Sequence, residues 1–289
     1  MLTIAISTVA ASLNKLTEYL QTNIDKIDHR VNFLICSQRE PTNTVTQLSE
    51  RVKVIKTTES GLSRSRNMLL TNSQSKWLWV QDDDIELEFD ALQQLVNILQ
   101  NSNDDLHFIK VKSLENHNDF YKNYAFHSSH KLTNSLKISS IEIIVSREFV
   151  NAKKIKFDTN LGLGTKLPCC EENKFILDLF KANAKVSYLD LATCYHTTNI
   201  ESRDIDHAGR FCARGYLLRF YPFYIRFALM LRWAIKIPAE LSFYEKMKLM
   251  FPLAEIRTLK CSNFRFRSSA RSSAFPLASV TTTPSASTR

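Results

Sequence analysis

Three consecutive carboxylates, Asp82, Asp83 and Asp84, follow the apolar run Trp77-Leu78-Trp79-Val80 in the segment "ESGLSRSRNMLLTNSQSKWLWVQDDDIEL". Adjacent like charges repel and cost free energy unless a cation compensates them. Hard carboxylate oxygens suit Mg²⁺ or Mn²⁺ and leave coordination positions open for phosphate oxygens. A divalent ion held there could bridge a diphosphate to the protein and neutralise charge on a leaving phosphate. The bland alternative is a solvated turn in which Asp84 or a neighbour caps the next helix. One aspartate would serve that need; three do not obviously help it. Upstream, in "SRSRN", Arg64 and Arg66 could add cationic contacts to a diphosphate, and an exposed helix face explains them about equally well.

A second acidic pair, Glu171-Glu172, opens a periodic segment, where a helix dipole would stabilise negative charge without any chemistry. A glycine-containing loop, Gly162-Leu163-Gly164, precedes it, and loops of that kind line clefts. A carboxylate facing the metal could take a proton from an attacking hydroxyl. His196, in "CYHTT", is either a structural imidazole or a ligand; the other six histidines carry no ligand spacing. No Gly-x-x-x-x-Gly-Lys-Ser/Thr loop and no Gly-x-Gly-x-x-Gly stretch occurs among the five glycines, so phosphate is not cradled in either of those ways.

The elements that must position these groups alternate. Leu2–Ser7, 31–37, 52–56 and 77–81 read as apolar strands, and 12–22, the "RSRNMLLTN" stretch and 88–100 as helices, with Leu13, Leu16 and Leu20 at helical spacing and Ser63 able to cap. "LHFIKVK" and "SSIEIIVSR" read as strands, possible antiparallel additions. A helix follows over 171–183, with Phe175, Leu179, Ile176 and Phe180 inward, and 186–196 is a last strand. Strand alternating with helix implies an α/β fold with a mostly parallel sheet covered on both faces. Ligands of such sheets bind at the carboxyl ends of the strands, where Asp82–Asp84 fall.

The 289 residues suffice for one large α/β domain with an appendage. Residues 1–200 hold 23 basic and 23 acidic side chains, whereas residues 201–289 hold 15 basic and six acidic, so the whole net charge of +9 lies in the last third. A neutral body with a basic end suits an anionic partner, a phospholipid surface or a nucleic acid. Six cysteines without a Cys-x-x-Cys pair, two of them adjacent, read as reduced cytosolic thiols. The first residues lack a basic region ahead of the apolar run and read as a buried strand rather than a signal peptide. "FCARGYLLRFYPFYIRFALMLRWAIKIP" (211–238) is apolar but interrupted by five cations, with Pro222 as a break or start. Spanning a bilayer would bury Arg226 near its centre, so a helix lying in the interface, guanidinium groups on lipid phosphate, fits better. The alternative is a helical pair packed on the catalytic domain. Residues 241–257 form a second amphipathic piece, and the Ser-rich stretch from Ser268 reads as a disordered tail.

Taken in order, "GLSRSRN", "WVQDDDIEL" and "FDTNLGLGTKLPCCEENKFILDLF" with "YHTT" resemble the family 2 glycosyltransferases of GT-A fold, most of all the bacterial enzymes of surface-polysaccharide assembly, over roughly residues 2–200. The resemblance implies a Rossmann-like GT-A domain over 1–200; the composition and patterning of the rest add a basic amphipathic helical and membrane-associating region over 201–260 and a low-complexity tail over 261–289. It implies an inverting transfer of sugar from a nucleotide diphosphate, usually UDP, to a hydroxyl of a glycan or lipid-linked glycan, with Mn²⁺ or Mg²⁺ as cofactor. Asp82, Asp83 and Asp84 match the Asp-x-Asp region, which holds metal and donor ribose, and His196 matches a histidine that helps hold the metal in some members. Glu172 matches the base, with Glu171 beside it; Ser7 and Thr8 match the approach to donor base and ribose. Arg64, Arg66 and Asn67 lie in the matching "GLSRSRN" and are expected beside the donor. Two departures concern the donor: Ser37-Gln38 stands where many members carry an acid, and Gln81 where many carry Asp, which leaves open which aspartates form the metal pair. Location on the cytoplasmic face of the inner membrane, through residues 211–257, completes the expectation, with no nucleic-acid partner. Competing readings are a degenerate transferase, a basic nucleic-acid-binding protein, and a sugar-phosphate nucleotidyltransferase, which would want a glycine-rich loop that "ISTVAASLNK" lacks.

Overall fold

A computed structural model describes residues 1–84, 86–124, 132–197, 206–237 and 241–251. Residues 1–252 form one compact unit, and 253–289 a second that lies outside the described residues, as does the expected tail. The first unit is built on a nine-stranded sheet in the order β3-β4-β2-β1-β5-β8-β7-β9-β6. Strands β1 (Leu2–Val9), β2 (Val31–Gln38), β4 (Val52–Lys56) and β5 (Trp77–Gln81) run parallel in its centre. β7 (Leu106–Ser113) lies parallel to β9 (Val186–His196), and β8 (Ile143–Ser146) runs antiparallel between β5 and β7. The edges are β3 (Thr44–Ser49) and the two-residue β6 (Glu86–Leu87).

Both faces of the sheet are covered, as near-continuous apolar runs in parallel strands require. On one side α1 (Ala10–Asn23) and α3 (Phe89–Asn101) bury Leu13, Leu16 and Leu20 and Leu92, Leu95 and Leu99 with Trp77 and Trp79. On the other, α2 (Leu62–Asn72) and α5 (Glu171–Lys181) bury Leu69, Leu70, Phe175, Ile176, Leu179 and Phe180 with Phe108 and Val80. The GT-A-like α/β architecture expected from the sequence is therefore the one observed.

Several local expectations change. Ser63 lies inside α2 and does not cap it; Gly61 is the N-cap residue, and the Ser63 hydroxyl donates to the Leu161 carbonyl at 2.7 Å. Of the stretch "SSIEIIVSR", Ser140–Glu142 is a 3₁₀ turn and Arg147 begins α4 (Arg147–Lys153), which leaves only four residues as strand. The basic end forms α6 (His207–Leu218), α7 (Phe223–Lys236) and α8 (Phe243–Met250), with Pro222 at the start of α7 as one of the two expected roles. α6 buries Ala213 and Leu217 against Leu161, Cys170 and Leu177, and Phe211 and Leu218 against Met230 and Met250. The outer face of α7 is not covered: Phe223 is 81%, Phe227 56% and Ile235 66% exposed. No helix among the described residues is long and apolar enough to cross a membrane.

Candidate active site

Because β1, β2, β4 and β5 are parallel, their carboxyl ends share one edge of the sheet, and the sequence-marked residues gather there. Ser7 and Thr8 close β1, Ser37 and Gln38 close β2, Gly61 follows β4, and Asp82–Asp84 follow β5. The three aspartates do not share a role. Asp82 accepts from Arg66 Nη2 at 2.9 Å, Asp83 from the Thr8 hydroxyl at 2.5 Å, and Asp84 faces His196 Nε2 at 3.1 Å. The helix after them is capped instead by Glu88, whose carboxylate accepts from Ala91 N. None of the three aspartates is the cap.

Arg66 is the hub. Its side chain is 1% exposed, stands over the Phe157 ring at 5.5 Å, and gives Nη1 to Glu171 Oε1 at 3.0 Å while Nη2 holds Asp82. One buried guanidinium thus joins the loop after β5 to the start of α5, two segments 89 positions apart between Asp82 and Glu171. Charge-assisted pairs of this kind are strong because a buried cation must be compensated. Arg64, two residues away and so on another face of α2, is half-exposed and pairs with Glu59 at 3.6 Å. Asn67 is turned to the backbone of Phe157, donating to its carbonyl and accepting from its N–H, both at 2.8 Å. Ser65 donates to Ser7 at 2.9 Å, and Gly61 N donates to Gln38 Oε1 at 2.7 Å. The "GLSRSRN" stretch is therefore a set of staples between α2, the ends of β1 and β2, and the loop before α5.

The junction of that loop with the start of α2 needs its glycines. Gly61 and Gly164 have φ of +125° and +87°, and a Cβ on Gly164 would sit 3.2 Å from Gly61 Cα. The close backbone approach lets Leu62 N donate to Leu163 O at 2.9 Å and sets the height at which α5 begins. Glu171 is buried and held by Arg66, and its Oε2 has no hydrogen-bond partner among the described residues. Glu172 is half-buried beside it. Burial first, and then the Glu171 charge, push the Glu172 carboxyl well above its ordinary range, with Arg66 pulling the other way.

His196 ends β9. Its Nδ1 lies 2.8 Å from the Thr197 carbonyl, which can only accept, so Nδ1 carries a proton and Nε2 is the atom turned to Asp84. Burial disfavours the imidazolium, but the Asp84 carboxylate and the Thr197 carbonyl outweigh it and raise the His196 pKa. Among the described residues no three metal-ligating side chains converge on one point.

One residue escaped the sequence reading. Glu40 is buried and accepts from the Ser37 hydroxyl at 2.5 Å, so an acid does stand at the end of β2, three positions later than expected. Only the turn after β2, with Arg39 at φ +59°, could have signalled it.

The family model described as "Glycosyl transferase family 2" matches residues 35–165. Structural comparison finds the same fold in Staphylococcus aureus TarS. A TarS crystal structure superposes with a TM-score of 0.55 at 14% identity, covering 83% of this chain and 46% of that one. TarS 1–349 in complex with UDP gives 0.54 at 18%, covering 86% and 70%, and its complex with UDP-GlcNAc 0.56 at 15%, covering 83% and 77%. The chain thus spans just under half of the longer TarS chain. No curated protein matches it. At these identities the structural likeness establishes fold. The fold is therefore GT-A-like, and residues 35–165 within it match the family 2 glycosyl transferase model.

Proposed function

We propose that the protein is an inverting glycosyltransferase that moves a sugar from a nucleotide diphosphate, a UDP-sugar, to a hydroxyl acceptor in surface-glycan assembly. One observation carries the reading: buried Arg66 ties the aspartate loop and the Glu171-Glu172 pair to a single cleft, at the strand ends where this fold class binds ligands. The TarS complexes with UDP and UDP-GlcNAc support the donor class.

In this reading the transfer is one displacement. The acceptor oxygen forms a bond to the anomeric carbon as the bond from that carbon to the diphosphate oxygen breaks, and the electron pair leaves with the nucleoside diphosphate. The acceptor proton passes to Glu172, whose raised pKa makes it a better base than an ordinary carboxylate. Glu171, fixed by Arg66, cannot swing to compete for that role. Thr8 and Arg66 hold Asp83 and Asp82 in place at the donor end.

The residues fit a divalent ion through Asp84 and His196. With Nδ1 bonded to Thr197, Nε2 is the ring nitrogen turned to Asp84, and a cation shared between that nitrogen and the carboxylate would take the place of the Nε2 proton. Asp82 and Asp83 are nearer to structural partners. Mg²⁺ or Mn²⁺ bound there would supply charge neutralisation to the departing diphosphate. Association with an anionic membrane face is carried by the exposed row Phe223, Phe227, Leu231 and Ile235 on α7, four residues apart and so on one side.

Calorimetric titration of UDP with Mn²⁺, repeated with EDTA, tests the donor site. Metal-dependent binding is expected, weakened about tenfold to a hundredfold in Asp84→Asn or His196→Gln. Silence toward UDP and other nucleoside diphosphates would return the chain to the degenerate reading.

A further inference from the structure

A hollow of about 350 Å³ separates the start of α5 from α6 and α7. Glu172 lies on one wall, Arg214 of α6 on another, and Arg232 and Lys236 of α7 on a third, with Trp233 and Cys169 between them. None of these three cations forms an ion pair among the described residues. Arg214 is held instead by aromatic faces, 5.5 Å from the Phe211 ring and 5.9 Å from that of Trp233. Arg232 and Lys236 gain from the C-terminal dipole of α7, which accounts for cations there but not for their convergence with Arg214 on one cavity. Three cations with no ion-pair partner among the described residues, gathered in a partly apolar recess, concentrate anions.

The position relative to Glu172 gives the hollow its meaning. A second hollow, of about 390 Å³, shares Leu136, Glu172 and Asn173 with the first and is lined on its far side by Tyr121. The Tyr121 ring stands edge-on to His196, the residue that faces Asp84, at 5.2 Å between ring centroids. Glu172 therefore lines both hollows, one bordered by the three cations and the other by Tyr121 beside His196.

We propose that the acceptor is anionic: it carries a phosphate or carboxylate close to the hydroxyl that Glu172 deprotonates, and Arg214, Arg232 and Lys236 hold that group. This rests on Glu172 being the base. A neutral sugar makes no use of three cations, whereas guanidinium groups match both oxyanions in paired hydrogen bonds.

Cys169, half-buried on the same wall, is a built-in reporter. Its alkylation in the full-length chain is followed by mass spectrometry with iodoacetate and iodoacetamide side by side, in wild type and in Arg232→Ala/Lys236→Ala. The ratio of the two rates cancels the reactivity of the thiol and reads the local potential. It is expected to fall about tenfold in the double variant. Glycerol 3-phosphate or glucuronate should protect Cys169 in wild type only, and glycerol should not. Protection by phosphatidylglycerol vesicles but not by the soluble anions would assign the anion to a lipid-borne acceptor; protection by the soluble anions would assign it to a free one. An unchanged rate ratio, or equal protection by glycerol, overturns the proposal. UDP titration on the same samples separates the two readings: loss of UDP binding with the anion effects intact removes the donor site alone.

Discussion

A carboxylate pushed up by burial and by a neighbouring charge is uncomfortable when ionised, and Glu172 is in that position. Between its ordinary and its folded value the native state binds more protons than the unfolded chain, so stability falls as pH rises through that window. Glu172→Gln should therefore raise the melting temperature at neutral pH, by an amount that shrinks as pH falls toward the usual carboxylate range. The same change should lower the transfer rate about a hundredfold or more. Calorimetric scans over pH, set beside rates, check both halves. At this scale the sequence was legible in part. Asp82–Asp84 stood out as candidates because strings of carboxylates after a buried strand have few structural uses, whereas Glu172 and His196 were singled out by the resemblance. The burial of Arg66 was not. Its two partners come from different segments, and nothing in "SRSRN" separates it from exposed Arg64 except the two-residue step that turns them to different faces of α2. Glu40 was hidden by the turn that carries it back toward Ser37.

Strands 52–56 and 77–81 lie where their apolar patterns put them, because strands buried on both faces of a sheet leave little choice. Strand 186–196 lies where it was read although it is mostly half-buried beside the edge strand β6. β3 carried no such mark: all six of its residues are exposed, and it exists by pairing with β4 rather than by burial. The C-terminal helices show how two elements are brought together by a missing side chain. A Cβ on Gly215 of α6 would lie 2.6 Å from the Met250 carbonyl oxygen and 2.7 Å from Met250 Cα, backbone atoms that cannot swing away. Gly215→Ala should push α8 off α6 at a cost of roughly 1–3 kcal/mol, the range for overpacking. Hydrogen exchange should then rise in 243–250 while β1, β2 and β5 keep their protection; equal protection in both would mean that the two helices do not press together.

The whole molecule sorts its surfaces. The sheet domain is charge-neutral, and the basic excess belongs to the part that carries α6–α8. Arg226, expected on lipid phosphate, instead donates to the carbonyls of Tyr221 and Arg219, closing the turn between α6 and α7. What faces outward on α7 is apolar, with Tyr224 beside the row and Tyr244 on α8 also exposed. Phe227→Ser/Ile235→Ser should lower co-sedimentation with phosphatidylglycerol vesicles severalfold and leave UDP titration as it was, since neither side chain is near the cleft. Undiminished sedimentation would assign the row to another contact.

A single arginine shared between Asp82 and Glu171 also works as a timer. Whatever draws Asp82 toward an incoming donor returns more of the Arg66 charge to the glutamate pair, and that charge favours the ionised form of Glu172. In the proposed transfer Glu172 would then shed its proton when the sugar arrives and not before, which would impose a sequence on the two substrates. Steady-state kinetics should show donor before acceptor, with the acid limb of the rate at lower pH for the donor-loaded protein than for the free one.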